Sequence, residues 1–189
     1  AKTILTASRK GSIPGKYMPL SSFIEVPKKY ECAITASLGE YLDAIVLLDQ
    51  SDPDAAMHLL SLEDKGRAVI MPISRLKSNE KIKVQTGNGI FGRANDLITW
   101  DENISSAIHL LLENTIIVEN RKVAQSLLKS LPLNGRVVTM DGEIFNGSGA
   151  VIAGKENKSI AISRPRQKRE LQLNFNQIQN LLKTLEESS

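Results

Sequence analysis

The chain has 189 residues, enough to bury a sizeable core in one medium domain or two small ones. Hydrophobic residues make up 41% and charged residues 24%, as in soluble globular proteins, and no apolar run approaches the ~20 residues of a membrane-spanning helix. The single cysteine, Cys32, excludes an intramolecular disulfide and favours a reducing compartment such as the cytoplasm.

The net charge of +3 is unevenly distributed along the chain. Residues 1–16 carry four basic residues and no acid, and residues 155–169 carry six basic residues against one acid. The sequence between them is mildly acidic. Two interpretations stay open: the charges are solvated at two separate ends, or both ends meet in space and form one basic patch for nucleic acid.

The first half of the chain predicts helix, strand, helix and strand. Pro27 opens the helical stretch KKYECAITASL, and YLDAIVLLD is typical of a buried strand. Asp52 and Pro53 form a helix start, and RAVIMP follows as the next strand. From residue 73 onward we expect a loop that ends in a short strand near Leu97–Trp100.

The second half repeats this pattern. Asp101 is expected to cap the helix ENISSAIHLLLE, after which come the strand NTIIVEN, the helix RKVAQSLLKSL and the strand GRVVTMD. The segments AIVLLD–helix–GRAVIMP and TIIVEN–helix–GRVVTMD match in order, in spacing and in the Gly-Arg that opens the second strand. This match indicates a weak internal duplication and predicts two similar β-α-β halves packed together.

The C-terminal segment, residues 166–189, predicts the start of a coiled coil. Apolar residues there are spaced alternately by four and three positions: Leu171, Phe175, Ile178, Leu182 and Leu185. An ordinary amphipathic helix docked on the domain is the alternative. The narrow apolar stripe favours the coiled coil.

The stretch GSGAVIAGK, residues 147–155, contains the G-x-x-x-x-G-K pattern of a phosphate-binding loop. Such a loop needs a Ser or Thr after the lysine to hold Mg²⁺, and it leads into a helix whose amides bind the anion. Here Glu156 follows Lys155, and ENKSIAIS does not resemble a helix start. His58 and His109 also lack neighbours at ligand spacing. The sequence therefore predicts no catalytic residue, no metal site and no cofactor.

The same glycines suit a close approach of two backbones. Gly142 lies in an Asp-Gly pair, which predicts a hairpin between RVVTM and EIFN. The chain after this hairpin is almost bare of bulky side chains and carries two apolar anchors, Val151 and Ile152. We expect this edge to pack tightly against another part of the chain or against a second copy.

The segment GRVVTMDGEIFNGSGAVIAGK strongly resembles the end of the hinge domain of structural maintenance of chromosomes (SMC) proteins. Five earlier pieces agree with that family in order and spacing: the lead-in from Gly15 to Leu20, FIEVPKKYECAITASLGEYLDAIVL, GRAVIMPISRL, ANDLI and TIIVEN. The resemblance covers nearly all of residues 15–155. The chain departs from it at Ala153, where relatives often carry glycine.

The resemblance implies an α+β fold of two pseudo-symmetric subdomains with β-α-β units, followed by a coiled-coil helix. The expected divisions are a coiled-coil exit at 1–14, subdomain I at 15–112, subdomain II at 113–165 and the coiled-coil arm from 166 onward. The resemblance also implies a prokaryotic-type homodimer that joins two arms, each paired with an antiparallel segment of the parent chain. It implies no catalysis in this chain, because the family's ATPase lies in a distant head domain.

The resemblance assigns two sets of site residues. The expected dimer interface comprises Gly147, Gly149, Val151, Ile152, Ala153 and Gly154. The family also binds DNA near the hinge, so we expect sequence-independent phosphate contacts from Arg9, Lys10, Lys155, Lys158, Arg164, Arg166, Lys168 and Arg169. The resemblance also implies a cytoplasmic protein that is associated with the nucleoid. A monomeric nucleic-acid-binding module and one half of a heterodimeric hinge remain as alternatives.

Overall fold

The computed structural model describes residues 1–63, 66–77, 81–154 and 160–187. The helices are α1 (Lys2–Arg9), α2 (Glu31–Leu38), α3 (Asp54–Glu63), α4 (Ser105–Leu112), α5 (Arg121–Leu127) and α6 (Ile160–Glu187). The strands are β1 (Tyr17–Pro19), β2 (Ile24–Glu25), β3 (Ile45–Leu47), β4 (Ile70–Pro72), β5 (Ile90–Arg93), β6 (Thr99–Trp100), β7 (Thr115–Val118), β8 (Arg136–Thr139), β9 (Ile144–Asn146) and β10 (Val151–Ile152). This mixed content confirms the predicted α+β class.

The strands form open sheets. One has the order β1-β3-β4, a larger one has the order β10-β9-β8-β7-β5, and β2 pairs with β6. In the first sheet β3 and β4 are parallel and α3 connects them, and in the second β7 and β8 are parallel and α5 connects them. The β-α-β unit predicted from the internal duplication therefore occurs twice, once in each of the two larger sheets.

The parallel strands are buried on both faces, and their side chains alternate between two cores. In β3, Ile45 and Leu47 pack with α1 and α3, whereas Val46 points into the main core. In β7, Ile116 and Val118 pack with α5, whereas Ile117 points into the same main core. Because successive side chains of a strand point to opposite faces, the two units share one interior and each keeps its own outer helix.

The main core is filled by helices that the two units share. Ile34 of α2 and Ile108 of α4 are fully buried in it, together with Val138 of the five-stranded sheet. Arg136 of β8 connects the carboxyl end of α4 to the start of β7. Its Nη2 donates to the carbonyl of Leu111 and its Nε donates to Thr115 Oγ1, each at 2.7 Å. A cation at the carboxyl end of a helix satisfies carbonyls that have no partner within the helix. Burial of this guanidinium lowers the pKa of Arg136.

Two sequence expectations were wrong. The segment 73–100 contains β5, which pairs with β7 at the edge of the five-stranded sheet. The apolar alternation that reveals a strand is missing there, because the buried position of β5 is Gly92 and Phe91 points outward. The segment ENKSIAIS also holds a helix start, since α6 begins at Ile160.

The last helix extends beyond the domain. α6 is 28 residues long and begins six residues before the predicted arm. Ile162 is fully buried, but the five residues of the apolar stripe are all more than half exposed: Leu171, Phe175, Ile178, Leu182 and Leu185. Within the described part of the chain, no helix is long and apolar enough to cross a membrane.

The buried carboxylate of Glu113 connects Lys81 to His109 of α4. Glu113 Oε1 lies 3.0 Å from both Lys81 Nζ and His109 Nδ1, and the Glu113 side chain is 1% exposed. The neighbouring Asn114 accepts the backbone N–H of Ile82 at 3.2 Å. Burial raises the pKa of Glu113, but the hydrogen bonds from Lys81 and His109 outweigh it and leave the pKa below 4.5.

A carboxylate with a depressed pKa stabilises the fold above its unfolded pKa, and this stability is lost as the pH falls through the folded value. We therefore expect Glu113→Gln to lower the free energy of unfolding at pH 7 by about 1–3 kcal/mol. The variant should also lose less stability than the parent when the pH falls below 4.5. Urea titrations between neutral and acid pH measure both effects. Glu102→Gln, at an exposed position, is the control; parallel pH profiles for parent and Glu113→Gln would contradict the assignment.

Candidate dimerisation interface and arm root

The glycine segment forms the outer hairpin of the five-stranded sheet. β9 and β10 are antiparallel, with Val151 opposite Phe145 and Ile152 opposite Ile144. β10 is the last strand of that sheet, and its side chains are 51% and 59% exposed. An edge strand offers unpaired N–H and C=O groups to another strand. The segment thus combines an open backbone edge with two exposed apolar side chains.

Gly147 has a reason to be glycine within its own chain. A Cβ at this position would lie 1.9 Å from the carbonyl oxygen of Pro132. The N–H of Gly147 donates to the carbonyl of Gly135 at 2.9 Å. The close approach predicted from the glycines therefore includes an intrachain contact, and the part of Gly147 in a dimer stays a prediction.

Gly149 and Gly154 face open space. Their φ angles are +94° and +111°, which L-residues with side chains rarely adopt, and no atom of the described residues lies within 4 Å of an added Cβ. The N–H of Gly149 donates to the carbonyl of Asn146 and closes the hairpin turn. Ala153 is exposed as well. A second backbone could approach this surface without meeting bulky side chains.

The geometry differs from that of a phosphate-binding loop. Between Gly149 and Gly154 the chain forms β10 instead of a loop that wraps around an anion. A cavity of about 510 Å³ lies beside Gly154, lined also by Asn120, Arg121, Thr139, Asp141 and Glu143. Arg121 is ion-paired with Glu143, whose hydrogen bond and charge raise the pKa of the arginine. A phosphate placed there would meet two carboxylates. Lys155 and Glu156 lie outside the described residues.

Metal ligands do not assemble in the parts of the chain that the structure describes: no group of three His, Cys, Asp or Glu side chains is placed to hold an ion. His58 is exposed on α3, and His109 is held by Glu113.

Carboxylates of the domain hold two of the arginines that the resemblance assigns to DNA. Arg166 donates from Nε and Nη2 to Glu31 Oε1, at 3.0 and 2.7 Å, and from Nη1 to Glu170 at 2.7 Å. Arg169 donates to Glu25 at 2.7 Å. The hydrogen bonds that Arg166 donates to Glu31 and, to a smaller extent, to Glu170 raise the pKa of Arg166. A phosphate would have to compete with these carboxylates.

We call the start of α6, residues 160–169, together with α1 the arm root. Its remaining basic residues line a groove. Residues of α1 and α6 line one groove of about 710 Å³, where Lys2, Arg9, Arg164 and Lys168 accompany one carboxylate among the described residues, that of Asp43. Lys10 is exposed at the end of α1, and Lys155 and Lys158 lie outside the described residues. Basic residues from the two basic segments therefore line one groove, and a role of this groove in binding nucleic acid stays a prediction.

The sequence interpretation missed Glu25 and Glu31 as partners of the arginines. A signal was present for Glu31, because it is the one charged residue of the helix sequence ECAITASL, and the structure shows that it is buried. A buried carboxylate requires a cation or hydrogen-bond donors nearby. For Glu25 there was no such signal, because it is one residue of a two-residue strand.

Comparison with known proteins identifies this arrangement. The family model described as "SMC proteins Flexible Hinge Domain" matches residues 13–128. The chromosome partition protein Smc of Bacillus subtilis is 32% identical over 168 residues, which cover 84% of this chain and 14% of that protein. The protein of the same name from Methanocaldococcus jannaschii is 31% identical over 143 residues, 76% of this chain and 12% of that protein.

Solved structures agree in fold. An asymmetric dimer of the Geobacillus stearothermophilus SMC hinge domain superposes with a TM-score of 0.86 at 24% identity, covering 98% of this chain and 78% of that one. The Pyrococcus furiosus SMC hinge domain gives a TM-score of 0.65 at 27% identity, with 80% of each chain covered. The chain thus spans a small part of the full-length Smc relatives but most of these hinge structures. It belongs to the SMC hinge domain family.

Proposed function

We propose that this chain is the dimerisation hinge of a chromosome partition protein, where two copies associate and join two coiled-coil arms. The observation that carries the proposal is the open edge of β10, with Val151 and Ile152 both more than half exposed. The Geobacillus hinge, which shares the fold, was solved as a dimer. The parent protein would act in the cytoplasm at the nucleoid.

Backbone and side chains of β10 favour association together. Strand pairing supplies directional hydrogen bonds, and burial of a Val or Ile side chain contributes about 1.5–3 kcal/mol. Gly149 and Gly154 leave room for the partner's backbone. Since two identical copies usually associate around a twofold axis, we propose a symmetric or nearly symmetric homodimer.

The exposed stripe of α6 supports the proposed arm. A single helix cannot bury residues such as Leu171, Phe175 and Ile178 on its own surface, and their 4-3 spacing is that of a coiled-coil seam. We propose that an antiparallel helix of the parent chain covers them. α1, whose residues line one groove with those of α6, is the natural place for that helix to enter the domain.

A second role, sequence-independent DNA binding at the arm root, is favoured by the groove between α1 and α6. Four basic residues line it against one acid. Backbone phosphates are the matching ligand, because aromatic side chains that could stack on bases do not line the groove. We propose that this chain has no catalytic role and acts by association alone.

The variant Val151→Lys/Ile152→Lys should convert the dimer into a folded monomer. Two ammonium groups on this edge would repel the equivalent edge of a partner and could not be buried without a large desolvation cost. Light scattering over a concentration series measures the mass, and the parent is expected near twice 20.8 kDa.

The matched control is Met57→Lys/Leu62→Lys, which places the same charges at two apolar residues of α3 that are 48% and 70% exposed, in the other β-α-β unit. This control should remain dimeric. A β10 variant that keeps the parent mass would rule out the proposed interface, and a parent that is monomeric at all concentrations would leave the heterodimeric or monomeric alternatives.

Gly147→Ala is expected to destabilise each copy without changing its association directly. The added methyl group would overlap the Pro132 carbonyl and force the hairpin to shift, at a cost of about 1–3 kcal/mol. Thermal unfolding measures the loss, with the neighbouring exposed Ser148→Ala as control. Unchanged stability together with a loss of the dimer would instead place Gly147 in the interface.

Single alanine variants at the arm root should show that Arg164, which has no ion pair among the described residues, contributes more to DNA binding than the paired Arg169. Arg164→Ala is expected to weaken binding to a random-sequence DNA duplex and to reduce the slope of log K against log salt by about 0.9, the value for one lost phosphate contact. Arg169→Ala, which removes the same charge from a residue paired with Glu25, should change the slope less. Fluorescence anisotropy at several salt concentrations measures both. Equal effects would contradict the distinction.

A further inference from the structure

The helix α6 is attached to the domain over a short base. Ile162 is fully buried in the main core, whereas every residue from Gln167 to Leu185 is exposed. With a rise of about 1.5 Å per residue, the base from Ile162 to Arg169 measures about 10 Å and the helix from Arg169 to Glu187 about 27 Å. Small shifts at the base are therefore amplified along the free part of the helix.

The buried base of α6, at Ile162 and Ser163, packs against Leu20–Phe23, β2 and α2. This base is short compared with the free part of α6, so small shifts there change the direction of the helix. Pro165 follows within one turn and cannot donate the backbone hydrogen bond that an α-helix normally forms at that position, which weakens the helix locally. The direction therefore depends on contacts beyond Pro165.

Two ion pairs supply those contacts. Glu31 holds Arg166 from α2, in a pair whose side chains are 3% and 16% exposed. Glu25 holds Arg169 from β2, in a pair whose side chains are 34% and 65% exposed. Because the two carboxylates lie on different elements of the domain, together they restrain the helix in two directions.

We propose that Glu25 and Glu31 are positioning residues that set the direction in which the arm leaves the hinge. The Glu31–Arg166 pair is the permanent restraint, because its buried charges are little screened. The Glu25–Arg169 pair is the adjustable one, because at 1 M salt the screening length falls to about 3 Å and exposed pairs weaken. Breaking the outer pair lets the arm tilt about the inner one.

Spin labels on α6 and on the domain report this direction. Asn180→Cys lies on the free part of α6 and Lys122→Cys on α5, in a Cys32→Ala background; both labelled positions are exposed. Labelled chains are diluted into excess unlabelled chains, so that each dimer contains at most one labelled copy. Since Asn180 lies about 21 Å along the helix from Arg166, about which the arm would tilt, a tilt of roughly 15° would move it by about 5 Å.

Arg169→Glu and Glu25→Arg should each shift or broaden the label distance distribution measured by double electron–electron resonance. The charge-swapped double variant Glu25→Arg/Arg169→Glu should restore the parent distribution, because opposite charges face each other again. Lys129→Glu is the matched control: it makes the same change of charge at an exposed residue of the domain that lies outside α6 and does not line the groove. It should leave the distribution unchanged.

Circular dichroism checks that each variant is folded. A merely structural role would lower the melting temperature of the single variants and leave the distance unchanged, and that result would overturn the proposal. A double variant that fails to restore the distance would overturn it as well. The inference rests on the proposed role of α6 as the root of an arm, but the distance reads the direction of α6 in a monomer or a dimer, so a failed hinge dimer would be recognised separately by its mass.

Discussion

The rest of this structure depends on two short strands, β3 and β7, each of which has side chains in two different cores. Val46 of β3 and Ile117 of β7 both point into the main core, while their neighbours along each strand pack against outer helices. A strand can serve two layers at once only because its side chains alternate between faces. This alternation fuses two β-α-β units into one body, with α2 and α4 between them, and it orients the outer elements from which the proposed functions arise.

The two β-α-β units pack through the faces of their sheets, so the edge strands of the sheets stay available for pairing. β10 is one such edge, and its position follows from the chain reversal at Asp141–Gly142 and the second hairpin after Asn146. The glycines in this region have different physical roles. Gly147 allows contact with Pro132 in the same chain, while Gly149 and Gly154 adopt backbone angles that favour glycine on an open surface. The β10 edge is thus held by an intrachain contact on one side, and its other side is open among the described residues.

Charge has two different uses at the arm root. Arg166 and Arg169 pair with Glu31 and Glu25, whereas Arg164 and Lys168 line the groove that residues of α1 also line. The helical period places these four cations, spaced by two, two and one residues, around α6, so neighbours in sequence have different surroundings. One basic run therefore contributes both to holding the arm and to the proposed phosphate surface.

The sequence by itself determined the duplicated β-α-β unit, the hairpin at Gly142 and the apolar stripe of α6, because each depends on local periodicity or turn chemistry. The α+β class was implied by the resemblance of the sequence to SMC hinges, and this resemblance agreed with the family match. Only the tertiary structure decided that β5 completes the large sheet, since its inward residue is Gly92 and no apolar pattern marks it. The same holds for the contact between Gly147 and Pro132 and for the pairing of Arg166 with Glu31, 135 residues away. Such contacts join distant segments, and no local pattern encodes which partner the fold brings near.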